Sequence, residues 1–81
     1  MTVAELANAL REVTVTLERA RATTSSAIPL LTEAKAALAV ASKTPNGYEP
    51  VELDRAMAEL NTARDLMAQA RQSILDYLMR L

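Results

Sequence analysis

The feature that most constrains this chain is a 3-4 repeat of apolar and small residues that keeps its phase from Val3 to Ala41. With Val3 as heptad position a and Leu6 as position d, the a positions read Val3, Leu10, Leu17, Thr24, Leu31 and Leu38. The d positions read Leu6, Val13, Ala20, Ala27, Ala34 and Ala41. A 3.5-residue period held this long belongs to a helix that packs along its length on another helix. A second stretch repeats the scheme, with Leu53, Leu60, Met67, Ile74 and Leu81 at a and Ala56, Ala63, Ala70 and Tyr77 at d. Large a residues of one helix over Ala of the other allow close approach, near the low end of the ~8–10 Å interaxial range.

The punctuation between the repeats predicts one domain, residues 1–81, folded as an all-α antiparallel hairpin: helix 2–43, turn 44–49, helix 50–81. Thr2 and Glu5 form a capping box at the start. Lys43 suits the negative end of the first helix dipole, and Pro45 drives Thr44 out of the α region. Pro45, Asn46 and Gly47 are turn residues, and Pro50 fits the first position of the second helix. The short turn makes the helices antiparallel. Pro29 is the one fault, because it removes an N–H and crowds the carbonyl of Ser25, at a cost of about 3 kcal/mol in a regular helix. The hydroxyls of Thr23, Thr24, Ser25 and Ser26 also compete for backbone partners. The unbroken heptad phase favours a kink near 25–29. The alternative is a break there, with Ser25 or Ser26 capping a new helix, which gives a monomeric three-helix bundle.

Residue chemistry points away from catalysis. The chain has no His and no Cys, so the commonest general base, the thiolates and the usual transition-metal ligands are missing. Glu5 with Glu12, and Glu52 with Glu59, share helix faces but lie outside a and d, where solvent keeps them ordinary surface charges. Gly47 is the sole glycine, which leaves no phosphate-binding loop. We therefore expect no enzyme, no cofactor and no metal. Net charge is −1 with the signs interspersed. Acidic neighbours offset Arg11, Arg19, Arg64, Arg71 and Arg80, so no nucleic-acid partner is expected. The opening residues lack a basic signal-peptide region, and the uncharged run between Arg21 and Glu33 is too short and polar for a membrane span. These features lead to a cytoplasmic expectation.

One feature calls for a partner. Val15, Ile28, Leu30, Val40, Met57, Leu66, Leu75, Leu78 and Met79 fall outside the a/d seam, and a lone hairpin does not cover them all. Ala is the commonest residue and Phe and Trp are absent, so the core is shallow, and chains near 70–80 residues are marginal without oligomerisation or staples. At ~1.5 Å per residue the first helix spans about 60 Å and the second about 48 Å. Counting from Gly47 sets Leu81 opposite residues 13 to 15 and leaves Val3, Leu6 and Leu10 past its end. The expectation is a homodimer, two hairpins making a four-helix bundle, with Val3, Leu6, Leu10 and Val13 in the interface and Ile28 and Leu30 widening it at positions e and g. The function expected is a non-catalytic protein-interaction or oligomerisation module. One alternative is a helical carrier or regulator holding an apolar small molecule in a cavity beside Met57, Leu60 and Met67. Another is a nucleic-acid accessory protein.

The Ala-rich helical hairpin without Cys resembles the WXG100 (ESX-type) proteins and the small helical leader or companion proteins of actinobacterial polymorphic toxins. Where the WXG100 turn carries Trp-X-Gly, this chain reads Pro45-Asn46-Gly47-Tyr48. Tyr77 matches the first residue of the C-terminal Tyr-x-x-x-Asp/Glu motif, with Leu81 in the acidic place. The resemblance implies a non-enzymatic, dimer-forming partner or targeting element of a secreted or toxin system, exported without a leader.

Overall fold

The computed structural model describes residues 1–41 and 51–81. They form two helices, α1 (Val3–Ala41, 39 residues) and α2 (Val51–Met79, 29 residues), packed on each other as a hairpin 65 × 16 × 14 Å. Among the described residues there is no strand. The expected turn at 44–49, Lys43 and Pro50 lie outside the described residues. The helix ends otherwise fall within a few residues of expectation, and Arg80 and Leu81 close α2 through backbone bonds to Tyr77 and Leu78.

α1 begins at the expected cap. The Glu5 amide donates to Thr2 Oγ1 (3.1 Å), and the Leu6 amide donates to the Thr2 carbonyl (3.0 Å). Instead of reaching the Thr2 amide, the Glu5 carboxylate accepts from the Thr2 hydroxyl (3.2 Å).

α1 then runs without interruption through Pro29. The break required by the three-helix alternative is absent, and the hydroxyls show why. Thr23, Thr24 and Ser26 donate to the carbonyls of Arg19, Ala20 and Ala22, four residues back, at 2.8–3.0 Å. Ser25 Oγ accepts from Arg21 (3.5 Å). Bonded within their own helix, these side chains do not cap a second one.

The packing seam differs from expectation by one position. The more buried residues fall chiefly at a and e, as Ala7, Leu10, Thr14, Leu17, Arg21, Thr24, Ile28, Leu31 and Leu38 in α1 and Leu53, Met57, Leu60, Arg64, Met67, Arg71, Ile74 and Leu78 in α2, with Leu6, Ala27, Ala56 and Ala63 at d and Glu18, Ser25, Asn61 and Leu75 at b half-buried beside them. This is an a/e seam in both helices. The d positions Val13, Ala20, Ala34, Ala70 and Tyr77 are exposed instead. The cause is area: Ile28, Met57 and Leu78, and the stems of Arg64 and Arg71, bury more apolar surface than Ala at d. Even so, only Ala7 and Thr14 are buried among the described residues, and neither completely.

The Lys35–Asp54 ion pair marks the register. It places Leu81 about a turn nearer the start of α1 than counting from Gly47 does. Leu6 and Leu10 are accordingly half-buried rather than beyond the hairpin, while Val3 stays exposed.

Candidate functional site

Antiparallel helices that contribute the same two heptad positions to a seam place like positions on like sides. Position b of both helices therefore lines one flank of this hairpin, and position d lines the other. The interhelical ion pair agrees, since Asp54 is a b residue reaching Lys35 in the seam.

The b flank is polar and internally paired. Glu18 accepts a two-pronged hydrogen bond from Arg21, with Nε at 2.9 Å and Nη2 at 2.7 Å. That bond is the chief reason the Glu18 carboxyl lies below its usual range; partial desolvation opposes it, and the charges of Arg21 and of Arg71 on α2 add to it. The same pair raises the Arg21 guanidinium. Nearby, the buried Thr14 hydroxyl donates to the Arg11 carbonyl (2.6 Å), so burial leaves it satisfied. Arg71 Nε is shielded from solvent without a hydrogen-bond partner. The middle of the seam is thus a polar layer between apolar ends.

The other flank, positions d and g, carries no charge on α1. Every charged residue of α1 (Glu5, Arg11, Glu12, Glu18, Arg19, Arg21, Glu33, Lys35) falls at b, c or e. None falls at d or g, from Leu6 to Ala41. On α2 all the d residues are uncharged, and the g residues are Glu52, Glu59, Leu66 and Ser73, with Arg80 following at the same spacing just past Met79. With the register above, Ala20 is about level with Ala70, Ala27 with Ala63, Ala34 with Ala56, and Val13 with Tyr77. A shallow floor of Ala results, bordered by the projecting side chains of Leu30 (63% exposed) and Leu66 (57% exposed).

The sequence-selected interface residues divide between these surfaces. Leu10 and Ile28 belong to the intrachain seam, and Leu6, Val13 and Leu30 belong to the d/g flank. Val3 stands exposed at the open end. Leu66 and the Ala floor complete the flank. Their signal in the sequence was the confinement of α1's charges to three heptad positions.

Other chemistry finds little support. Glu59, on the g row, pairs with Arg55 (3.2 Å), and Asp65 pairs with its neighbour Arg64 (3.5 Å). Among the described residues no three acidic side chains gather as a metal site, and no helix is long and apolar enough to cross a membrane. Among the described residues, shallow open depressions lie at Arg11, Glu12, Val15 and Thr16 and at Ala58, Thr62, Ala63 and Leu66 with Arg55 and Glu59, each lined by a single helix. The two-helix hairpin is compatible with a WXG100-like architecture. Compared with known proteins, the chain matches no family model, no curated protein and no solved structure.

Proposed function

We propose that this protein is a non-catalytic interaction module whose d/g flank receives the helices of a partner. The observation that carries the reading is the side-specific distribution of charge: an Ala-floored flank with Leu30 and Leu66 exposed, uncharged along α1 and carrying Glu52 and Glu59 at g on α2, opposite a flank of bonded polar groups. In a four-helix bundle each helix has two neighbouring helices, which it meets on the two sides of its a/d stripe. This hairpin uses a/e for its own seam, so the second seam falls to d/g. Exposed Ala contributes little to a lone hairpin but lets another backbone approach closely. The absence of His and Cys fits a role without chemistry. The resemblance to WXG100 and toxin-companion proteins suits a partner or targeting element of a secreted or toxin system.

The test uses a photo-crosslinking amino acid in the native host, placed singly at Leu30, Leu66, Thr32 or Ala68. Adducts from Leu30 and Leu66, with little from the b-flank positions Thr32 and Ala68, are expected. Equal labelling from both flanks, or adducts from the b flank alone, contradicts the reading.

A further inference from the structure

We propose that the occupant of the d/g flank is a second copy of this chain, docked antiparallel about a two-fold axis that crosses the hairpin at Leu66. The proposal rests on the reading of that flank as an interaction surface and adds the partner and its geometry.

The first argument is area. The chain exposes 6030 Å². A compact monomer of 8.8 kDa exposes about 4,800 Å² by the usual mass scaling, so the hairpin carries an excess of roughly 1,200 Å². A stable interface buries about 800 Å² per partner, which the excess exceeds.

The second argument is self-complementarity. The g residues of α2, read along the chain, are Glu52, Glu59, Leu66 and Ser73, and Arg80 follows at the same spacing just past the last helical residue, Met79. Reversed about Leu66, this row sets Glu52 beside Arg80 of the second copy and Glu59 beside its Ser73. Leu66 then meets Leu66. Opposite charges face each other and like charges do not. The d residues follow the same rule, with Ala56 opposite Tyr77 and Ala63 opposite Ala70. On α1 the reversal pairs large with small: Leu6 with Ala41, Val13 with Ala34, Leu30 with Thr16.

The third argument joins the two helices. The α1 pairings centre on residues 23–24, and the α2 pairings centre on residue 66. The register given by Lys35–Asp54 places these two levels side by side. One axis therefore serves both helices, as an isologous dimer requires. A two-fold running along the hairpin would instead set α1 of one copy on α2 of the other, and the Leu66 side chains would not meet.

The experiment uses the full chain, which has no native cysteine. Sedimentation equilibrium at tens of micromolar is expected to give twice the 8.8 kDa chain mass. A short bis-maleimide is expected to link Leu66→Cys to itself in high yield. Glu59→Cys should link to Ser73→Cys when the two are mixed and poorly to itself, and Thr32→Cys on the opposite flank should stay unlinked. Leu66→Glu, a change at an exposed position, should weaken dimerisation at least ~100-fold while the helical circular dichroism is retained. A monomer mass for the unmodified chain overturns the proposal, as does a dimer in which Leu66→Cys fails to link. If that monomer still gives Leu30 and Leu66 adducts in the host, the flank reading stands and the second copy is wrong. If the flank adducts are missing as well, both are wrong.

Discussion

The two flanks of this hairpin have the same length, are built from the same helices and border the same seam, yet they are opposite in chemistry. On the b flank, Glu18, Arg21 and Ser25 bond one another, and Asp54 reaches across to Lys35. Those groups satisfy their polarity within the chain. On the d/g flank, Ala20, Ala27, Ala63 and Ala70 present backbone-close surface with little to offer water, and Leu30 and Leu66 project from it. The contrast separates a surface finished within one chain from one that gains by being covered. α1 keeps its charges off positions a, d, f and g, and a second neighbouring helix gives d and g a reason to stay uncharged.

The largest effect expected comes from placing charge on each flank in turn. Ala27→Glu with Ala63→Glu puts two carboxylates on the d floor and should weaken association by about 3 kcal/mol or more, read as a monomer in sedimentation. Ser25→Glu with Ala68→Glu, on the b flank, should leave the mass unchanged. Next is the seam itself. Ile28→Ala removes a half-buried side chain from the a/e seam and should cost ~1–2 kcal/mol in urea unfolding, the lower part of the range for buried Ile. The a/d alternative puts that loss at Ala27 and predicts little effect at Ile28. Thr2→Ala deletes the cap of α1 and should cost ~0.5–1 kcal/mol by thermal melting, whichever flank is covered.

The smallest effect is the pH dependence held in the b flank. The folded Glu18 carboxyl lies below its unfolded value, so its contribution is present above the unfolded pKa of about 4.3 and is lost as pH falls through the lowered folded value. Glu18 is half-exposed, so solvent screens the pair and the change is modest. Melting curves from pH 7 to pH 3 should show wild type and Glu18→Gln converging at the acid end. A difference that grows as pH falls would contradict this assignment.

Much of the architecture was legible in the chain. The heptad phase, Thr2 with Glu5, and the turn residues led to a two-helix hairpin, and the unbroken phase across Pro29 favoured a kink near 25–29 over a break; α1 runs on through Pro29 as one helix. The seam was misplaced by one residue for a definite reason. A search for apolar letters at 3-4 spacing accepts Ala20, Ala27, Ala63 and Ala70 and passes over Arg21, Arg64 and Arg71. The packing weighs area instead, and an Arg stem covers more than an Ala methyl. The same step hid the second surface: once d is assigned to the core, no d/g flank remains to be noticed. The register was misjudged because counting from Gly47 cannot anticipate the Lys35–Asp54 pair.

The account's central claim is that a/e is the intrachain seam and d/g is covered by association. Its most direct measurement is the rate of thiol labelling at single cysteines along one stretch of α1, at Ile28, Leu30, Thr32, Glu33 and Ala34, in dilute and concentrated protein. The account predicts slow labelling of Ile28→Cys at every concentration. It predicts fast labelling of Leu30→Cys and Ala34→Cys when dilute, slowing on concentration, and fast labelling of Thr32→Cys and Glu33→Cys throughout. Protection that grows at Thr32 and Glu33 while Leu30 and Ala34 stay reactive would contradict it.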